Sequence, residues 1–588
     1  MNRIPCLLAL ILVAVGCTPR SNDALWLAAG PVETSGEPCY EYRILDHWDN
    51  LDDSVERGYA GPSIWAWTEE EIPEERIREY GRLNESIGIN GSVLNNVNAS
   101  PLMLTTEVLE RVARIADILR DYGIRCYLAV NFATPMALGE LPTADPQNPA
   151  VRRWWQLKAE EIYGMIPDFG GFLVKASSEG QPGPQDFGRS HADGANMLAA
   201  ALKPYGGIVM WRAFVYSASS PDRANQAVEE FKPLDGQFAS NVLIQIKNGP
   251  VDFQAREPVS PLFFNLEHTA TMPELQITQE YLGQSWHLVY LGTMWEEFLA
   301  QSATLSRPCK AIAGVANTGQ MEDWCGHIFS AANWYAFGRL AWDPTLGAEQ
   351  IAEEWIRGTF IKPRWCPERR FTRKFVEPVK EMMMSSRETC VNYTMPLGFH
   401  HIFNGSHYGP GPWQGAPRPD WSPKYYHKAD SAGVGFDRTC ATGSGNTGQY
   451  PEPMRSIYEN VDSCPENLLL WFHHLPWDYT MGSGRSLWDE ICLHYDAGVT
   501  AVQGYIATWR RCKPYVNPEI WQKVQARLTV QESDARWWRD ACVQYFRTFS
   551  GLPVPDDVRQ PEIPLDSLKR RTGTPPDFSA GGVGDSSF

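Results

Sequence analysis

Apolar and polar positions along the chain change spacing in a regular way. Short apolar runs read as strands at Ile87 to Leu94, Cys126 to Val130, Phe172 to Val174, Ile208 to Phe214, Val242 to Ile246, Phe263 to Leu266 and Ala311 to Val315. Each gives way to a loop and then to a helical stretch. Between Thr106 and Tyr122, Val108, Leu109, Val112, Ile115, Ala116 and Leu119 recur at helical spacing, and Gly123 stops the helix. Val151 to Tyr163 reads as the next helix. Strands that alternate with helices make a parallel sheet, and about eight such units in roughly 300 residues fit a closed (β/α)8 TIM barrel better than an open doubly wound sheet. No Gly-x-Gly-x-x-Gly follows the first strand, which speaks against dinucleotide binding. The expected class is α/β, with the barrel over 39–340. A mainly helical C-terminal domain follows over 341–558, where Ala348 to Gly358 and Trp521 to Phe549 are clearly helical. Residues 559–588, rich in Pro, Gly, Ser and Asp, read as a disordered tail.

The N-terminus reads as an export signal. Met1-Asn2-Arg3 is a short positive start, and Leu7 to Val15 is an apolar run too short to span a bilayer. The run ends Ala14-Val15-Gly16-Cys17, which resembles the bacterial lipobox, so 1–17 is expected to be a signal peptide with Cys17 acylated. Thr18 in place of Asp points away from inner-membrane retention. The expected address is a periplasmic or outer-membrane lipoprotein of a bacterium, touching membrane only through the lipid. An ordinary signal peptide with an incidental Cys17 is the alternative. Residues 18–38 read as a spacer.

Composition narrows the ligand. The 23 Trp, 23 Tyr and 24 Phe fill a large core, and flat rings also stack on sugar faces. A net charge of −18 argues against nucleic acid, and an anionic ligand would have to meet a local cluster of Lys and Arg. Of 13 Cys, the eleven from Cys39 to Cys542 show no Cys-x-x-Cys and no zinc spacing, so neither a metal site nor a cofactor is expected. Most read as buried thiols, with room for a disulfide in an oxidising compartment.

Catalytic groups of a (β/α)8 barrel project from the C-terminal ends of its strands. After Gly171-Phe172-Leu173-Val174 the chain reads Lys175-Ala176-Ser177-Ser178-Glu179-Gly180-Gln181-Pro182-Gly183-Pro184. Arg212 follows Trp211, Lys247-Asn248-Gly249-Pro250-Val251-Asp252 follows Ile246, and Ile277-Thr278-Gln279-Glu280 comes after Phe263 to Leu266. Any one of these charges could be a solvated loop end, but three cations and three carboxylates at successive strand ends form a candidate site.

These blocks resemble the active-site segments of α-glucuronidases of glycoside hydrolase family 67. So do Leu45-Asp46-His47-Trp48-Asp49-Asn50-Leu51-Asp52 with Glu56-Arg57-Gly58-Tyr59-Ala60-Gly61, Gln276 to Gly283, and Trp471 to Tyr479; the likeness runs over residues 40 to 550. The resemblance implies that Glu179 is the general acid and that Asp252 and Glu280 hold and activate the hydrolytic water. It implies that Lys175, Arg212 and Lys247 bind the glucuronate carboxylate, with Trp48 and Trp477 walling the sugar pocket. Acid and base of an inverting glycosidase stand about 6.5–9.5 Å apart, and Glu179 must hold a proton to act.

The implied activity is exo-acting, inverting release of glucuronic or 4-O-methylglucuronic acid α-1,2-linked to the terminal xylose of xylo-oligosaccharides. The implied partners are acidic xylo-oligosaccharides (aldouronic acids) and, through the C-terminal domain, a second copy of the chain. Two departures stand out. The family's N-terminal β-rich domain is expected to be missing, since few residues separate Cys17 from Cys39, and Ser177 stands where Asn or Asp is expected. The runner-up reading is a lipid-anchored, non-catalytic binding protein for the same acidic oligosaccharides, which the three carboxylates argue against. A barrel glycosidase for another uronide, such as pectic galacturonate, is a third.

Overall fold

The computed structural model describes residues 36–214, 220–302, 305, 309–571, 573 and 575. Cys17 and the rest of the leader, with nearly all of the 18–38 spacer, lie outside the described residues. Eight parallel strands form a closed barrel: β1 (Tyr42–Asp46), β2 (Gly91–Val93), β3 (Arg125–Ala129), β4 (Gly171–Val174), β5 (Ile208–Arg212), β6 (Val242–Lys247), β7 (Thr271–Gln276) and β8 (Ala311–Val315). Closure is through β1 and β8, with Tyr42 opposite Ala311 and Asp46 opposite Val315. The rhythm of the sequence thus leads to the (β/α)8 class it predicts.

Three local readings are corrected. The strand near Ile87 is only Gly91–Val93, because the helix Glu74–Ser86 runs up to it and Gly88 turns the chain at φ +80°. Phe263 to Leu266 is not a strand. Pro261 opens a 3-10 turn over Pro261–Phe264, and the true seventh strand is Thr271–Gln276. That connection carries no α-helix, since Pro250, Pro258 and Pro261 break the segment between β6 and β7. Finally, the stretch from 559 is not wholly without structure. Leu565–Arg570 is a short helix whose Leu568, 2% exposed, packs with Tyr408, Trp537 and Ala541.

The two faces of each strand explain where a site must form. Ile44, Leu173, Ile208, Met210, Leu243 and Met272 belong to one apolar cluster inside the barrel. Their neighbours Leu45, Phe172, Val174, Val209, Trp211, Ile244 and Leu275 pack outward against the helices. Alternation with period two then carries Asp46, Lys175, Arg212, Gln245, Lys247, Glu274 and Gln276 into the barrel above the apolar layer. All seven are buried.

Beyond the barrel, the helices Ala348–Thr359, Glu377–Thr394, Leu487–Cys512 and Pro518–Ser550 form the second unit, with a long segment of short turns between 395 and 486. The longest helix starts at Asn517, whose side chain caps Glu519 N, and ends at Gly551 in the left-handed region. All eleven described cysteines are free thiols, so neither of the one or two disulfides the compartment would allow is found among the described residues. Most are buried, and burial pushes thiols such as Cys390 up to about 11 and Cys512 up to about 12.

Just past β1, Asp49 is fully buried with Ser63 donating to its Oδ2 at 2.5 Å. Burial pushes its pKa up to about 8. A folded-state value above the unfolded one, about 4, means that its stabilising contribution is complete at low pH, declines as pH rises and is gone once Asp49 ionises. Asp49→Asn should therefore raise Tm progressively more from pH 4 to pH 9. A gain independent of pH would show that Asp49 does not titrate in this way.

Candidate active site

The first wall follows β4. Lys175, two residues beyond the inward-facing Leu173, keeps the inward register and is buried. Its Nζ donates to Asn98 Oδ1 at 2.8 Å and to Glu179 Oε2 at 2.7 Å. The loop returns Glu179 to Lys175 by two left-handed residues, Ser177 at φ 52° and Glu179 itself at φ 49°. Asn and Asp adopt that region more readily than Ser, which explains the residue type expected at 177. The Glu179 side chain is 35% exposed against 3% for Lys175, so the carboxyl faces the open side.

The floor is cationic. Arg212 ends β5 and is clamped by Glu274 of β7, with Nε–Oε2 at 2.9 Å and Nη2–Oε1 at 2.6 Å. Beside this pair, burial and the Glu274 charge push the Asp46 carboxyl well above the usual range, which leaves it neutral with Gln245 donating to it. Lys247, at the end of β6, holds Asp252 Oδ1 at 2.8 Å. Lys175 Nζ, the Arg212 guanidinium carbon and Lys247 Nζ lie 4.9, 5.0 and 3.7 Å from the centre of one ring, that of Phe214. The three cations read from separate strand ends therefore converge. Burial lowers the pKa of both lysines, and the paired carboxylates partly restore it.

The opposite wall holds two carboxylates. Asp252 accepts from Lys247, from Tyr281 OH at 2.5 Å and from Phe253 N at 3.1 Å. Burial alone would raise its pKa, but the Lys247 and Arg223 charges outweigh burial and hold the carboxyl well below the usual range. Glu280 is met by Arg57 Nε at 2.9 Å, His407 Nδ1 at 2.9 Å and Gln276 Nε2 at 3.0 Å. His407 stacks on Tyr281 at 4.7 Å, which joins the two carboxylates into one assembly. Glu257 fixes the Asp252 turn from behind, its two oxygens accepting Val251 N and Asp252 N at 2.9 Å each, and burial pushes it up to about 8. The adjacent Glu56 and Arg57 link the walls, Glu56 through Asn98 to Lys175 and Arg57 directly to Glu280.

Trp48 belongs here, its ring 5.7 Å from the Arg212 guanidinium. Trp477 does not. Its indole donates to Asp430 O and its ring packs on Trp488 and Phe546, filling the core of the C-terminal unit. Sequence reasoning gave no role to Arg57, Tyr281 or Gln276, although they stand inside the blocks it singled out. Nothing local pointed to Phe214, Arg223, Glu257 or His407. Buried polar atoms without a hydrogen-bond partner occur at this end of the barrel, namely Trp48 Nε1, Tyr59 OH, Asn248 Oδ1 and Gln276 Oε1. Among the described residues no group of three His, Cys, Asp or Glu side chains could hold a metal ion.

The model of the glycosyl hydrolase family 67 middle domain matches residues 28–333, and that of the family 67 C-terminus matches 325–559. The chain belongs to glycosyl hydrolase family 67. Among its relatives in that family, "Alpha-glucuronidase A" of Emericella nidulans is 42% identical over 566 residues, 90% of this chain and 65% of the relative. "Probable alpha-glucuronidase A" of Aspergillus terreus is 42% identical over 548 residues, 89% of this chain and 64% of the relative. This family 67 chain thus spans about two thirds of the length of those relatives.

Proposed function

We propose that the chain is an exo-acting, inverting α-glucuronidase. It would hydrolyse the α-1,2 bond between glucuronic or 4-O-methylglucuronic acid and the terminal xylose of xylo-oligosaccharides. The observation that carries this reading is the convergence of Lys175, Arg212 and Lys247 on one spot at a barrel mouth lined by Glu179, Asp252 and Glu280. An acidic protein that buries three cations together is built to hold an anion where water screens poorly. The alpha-glucuronidase names of its relatives support the same substrate class.

In this mechanism the glucuronate carboxylate engages Lys175, Lys247 and the Arg212 edge that Glu274 does not use, and Trp48 walls the ring. Lys175 is then drawn from Glu179, whose carboxyl protonates the glycosidic oxygen. Asp252, kept ionised by Lys247 and Arg223, and Glu280, oriented by Arg57 and His407, align and deprotonate the attacking water. Incubation with aldouronic acids tests the reading, with the first product followed by proton NMR. Free glucuronic acid appearing as the β-anomer is expected. An initial α-anomer would require a covalent intermediate, and no glucuronic acid at all would refute the activity.

Recognition can be tested apart from turnover. Removing Arg212 alone would strand the buried Glu274, so the informative variant carries Arg212→Gln and Glu274→Gln together. Inhibition constants of glucuronides should rise by about 100-fold, the size of a lost charge-assisted bond, while matched neutral glucosides should bind as before. Equal losses for acid and neutral sugars would mean the floor is misread.

A further inference from the structure

The residues after 559 lie beyond the match to the family's C-terminal model, yet they reach the turn that carries His407. The helix Leu565–Arg570 packs on the long helix Pro518–Ser550 through the buried Leu568. Arg571 follows, its guanidinium 4.1 Å from the centre of the Trp537 ring and 3.0 Å from Asp534 Oδ1. Asp534 is itself held by His287 Nε2 at 3.0 Å and by Tyr408 OH. Two residues further on, the Gly573 carbonyl accepts from Ser406 Oγ. A Cβ at Gly573 would come within 1.8 Å of the Asn404 amide, so the chain here lies directly on the turn 404–407. That turn carries His407, which bonds Glu280 and stacks on Tyr281. The turn is also held from its other side: Gln284 Nε2 donates to Ser406 O at 2.7 Å, Gly405 N to Gln414 Oε1 at 2.9 Å, and Asn404 N to Gly409 O at 2.8 Å.

We propose that Leu565 to Arg571, together with Gly573, forms a strap that positions His407, and through it Glu280, for the hydrolytic step. The strap acts through the turn and touches no substrate. Ser406 and Gly573 are its working contact, and Leu568 and Arg571 are its moorings. The proposal rests on the reading of Glu280 as part of the water-activating pair. A strap of this kind aligns a group used in the transition state more than it contributes to substrate binding, so kcat should respond before KM.

Two variants test it against the full chain: one ended after Gln560, and one carrying Gly573→Leu at full length, which alters only the seat on Asn404. Both should lower kcat on aldouronic acids by about tenfold or more with KM nearly unchanged. Both should also shift the imidazole NMR signals of His407, identified by their loss in His407→Gln. Adding His407→Gln to the shortened chain should cost little further, because the same alignment is already lost. Undiminished kcat, losses that multiply, or a His407 signal unmoved by either variant would each overturn the strap. If the shortened chain fails to fold, judged by circular dichroism, the Gly573→Leu protein decides alone. If Glu280→Ala keeps activity, the reading of the site has failed, and the strap stands or falls on the His407 signals.

Discussion

Asp252→Ala and Glu280→Ala should each lower kcat by about a thousandfold or more, and the double variant should be little worse than the more damaging single one. The expectation follows from how the pair is wired. Asp252 is bonded by Tyr281, Tyr281 stacks on His407, and His407 bonds Glu280, so loss of either carboxylate loosens the setting of the other. The electrostatics sharpen the division of labour. Lys247 and Arg223 hold the Asp252 carboxyl below the usual carboxylate range, which favours its ionised form and makes it a weak proton acceptor. Its best use is to aim the water, with Glu280 sharing the proton. Single losses that multiply in the double variant, or one single variant that keeps substantial activity, would show that only one carboxylate is chemical.

Glu179→Gln should lose nearly all turnover on natural aldouronic acids, about 10²–10⁴-fold, and far less on a glucuronide whose leaving group departs without a proton. Glutamine keeps the shape and can still accept from Lys175, so the loop with its left-handed Ser177 and residue 179 should persist and binding should change little. The contrast between good and poor leaving groups is the signature of a general acid. Equal losses on both substrates would remove Glu179 from that role.

Much of this was legible in the chain, and the failures have physical causes. Lys175, Arg212 and Lys247 are readable because each lies at the end of an apolar strand, where period-two alternation turns it inward. β7 was misplaced because Pro273 and Glu274 break its apolar pattern, whereas Phe263 to Leu266 is apolar and yet forms a 3-10 turn behind Pro261. Glu274 is the reason the strand looks wrong and also the reason Arg212 is held. An aromatic ring near a matching block suggests a sugar wall, but a large ring equally fills a core, and Trp477 does so. His407 and Arg223 could not be read locally, since their partners Glu280 and Tyr426 lie 127 and 203 positions away. The tail looked disordered by composition, yet one leucine and one arginine moor part of it.

Each of the three cations proposed to bind the ligand already owns a carboxylate: Glu179 for Lys175, Glu274 for Arg212 and Asp252 for Lys247. In the proposed mechanism only Lys175 changes partner, from Glu179 to the uronate, while Lys247 keeps Asp252 and Arg212 keeps Glu274. When the uronate departs, Glu179 takes Lys175 back. That exchange is the same for substrate and for free glucuronic acid, so any preference for the oligosaccharide must come from contacts to its xylose units.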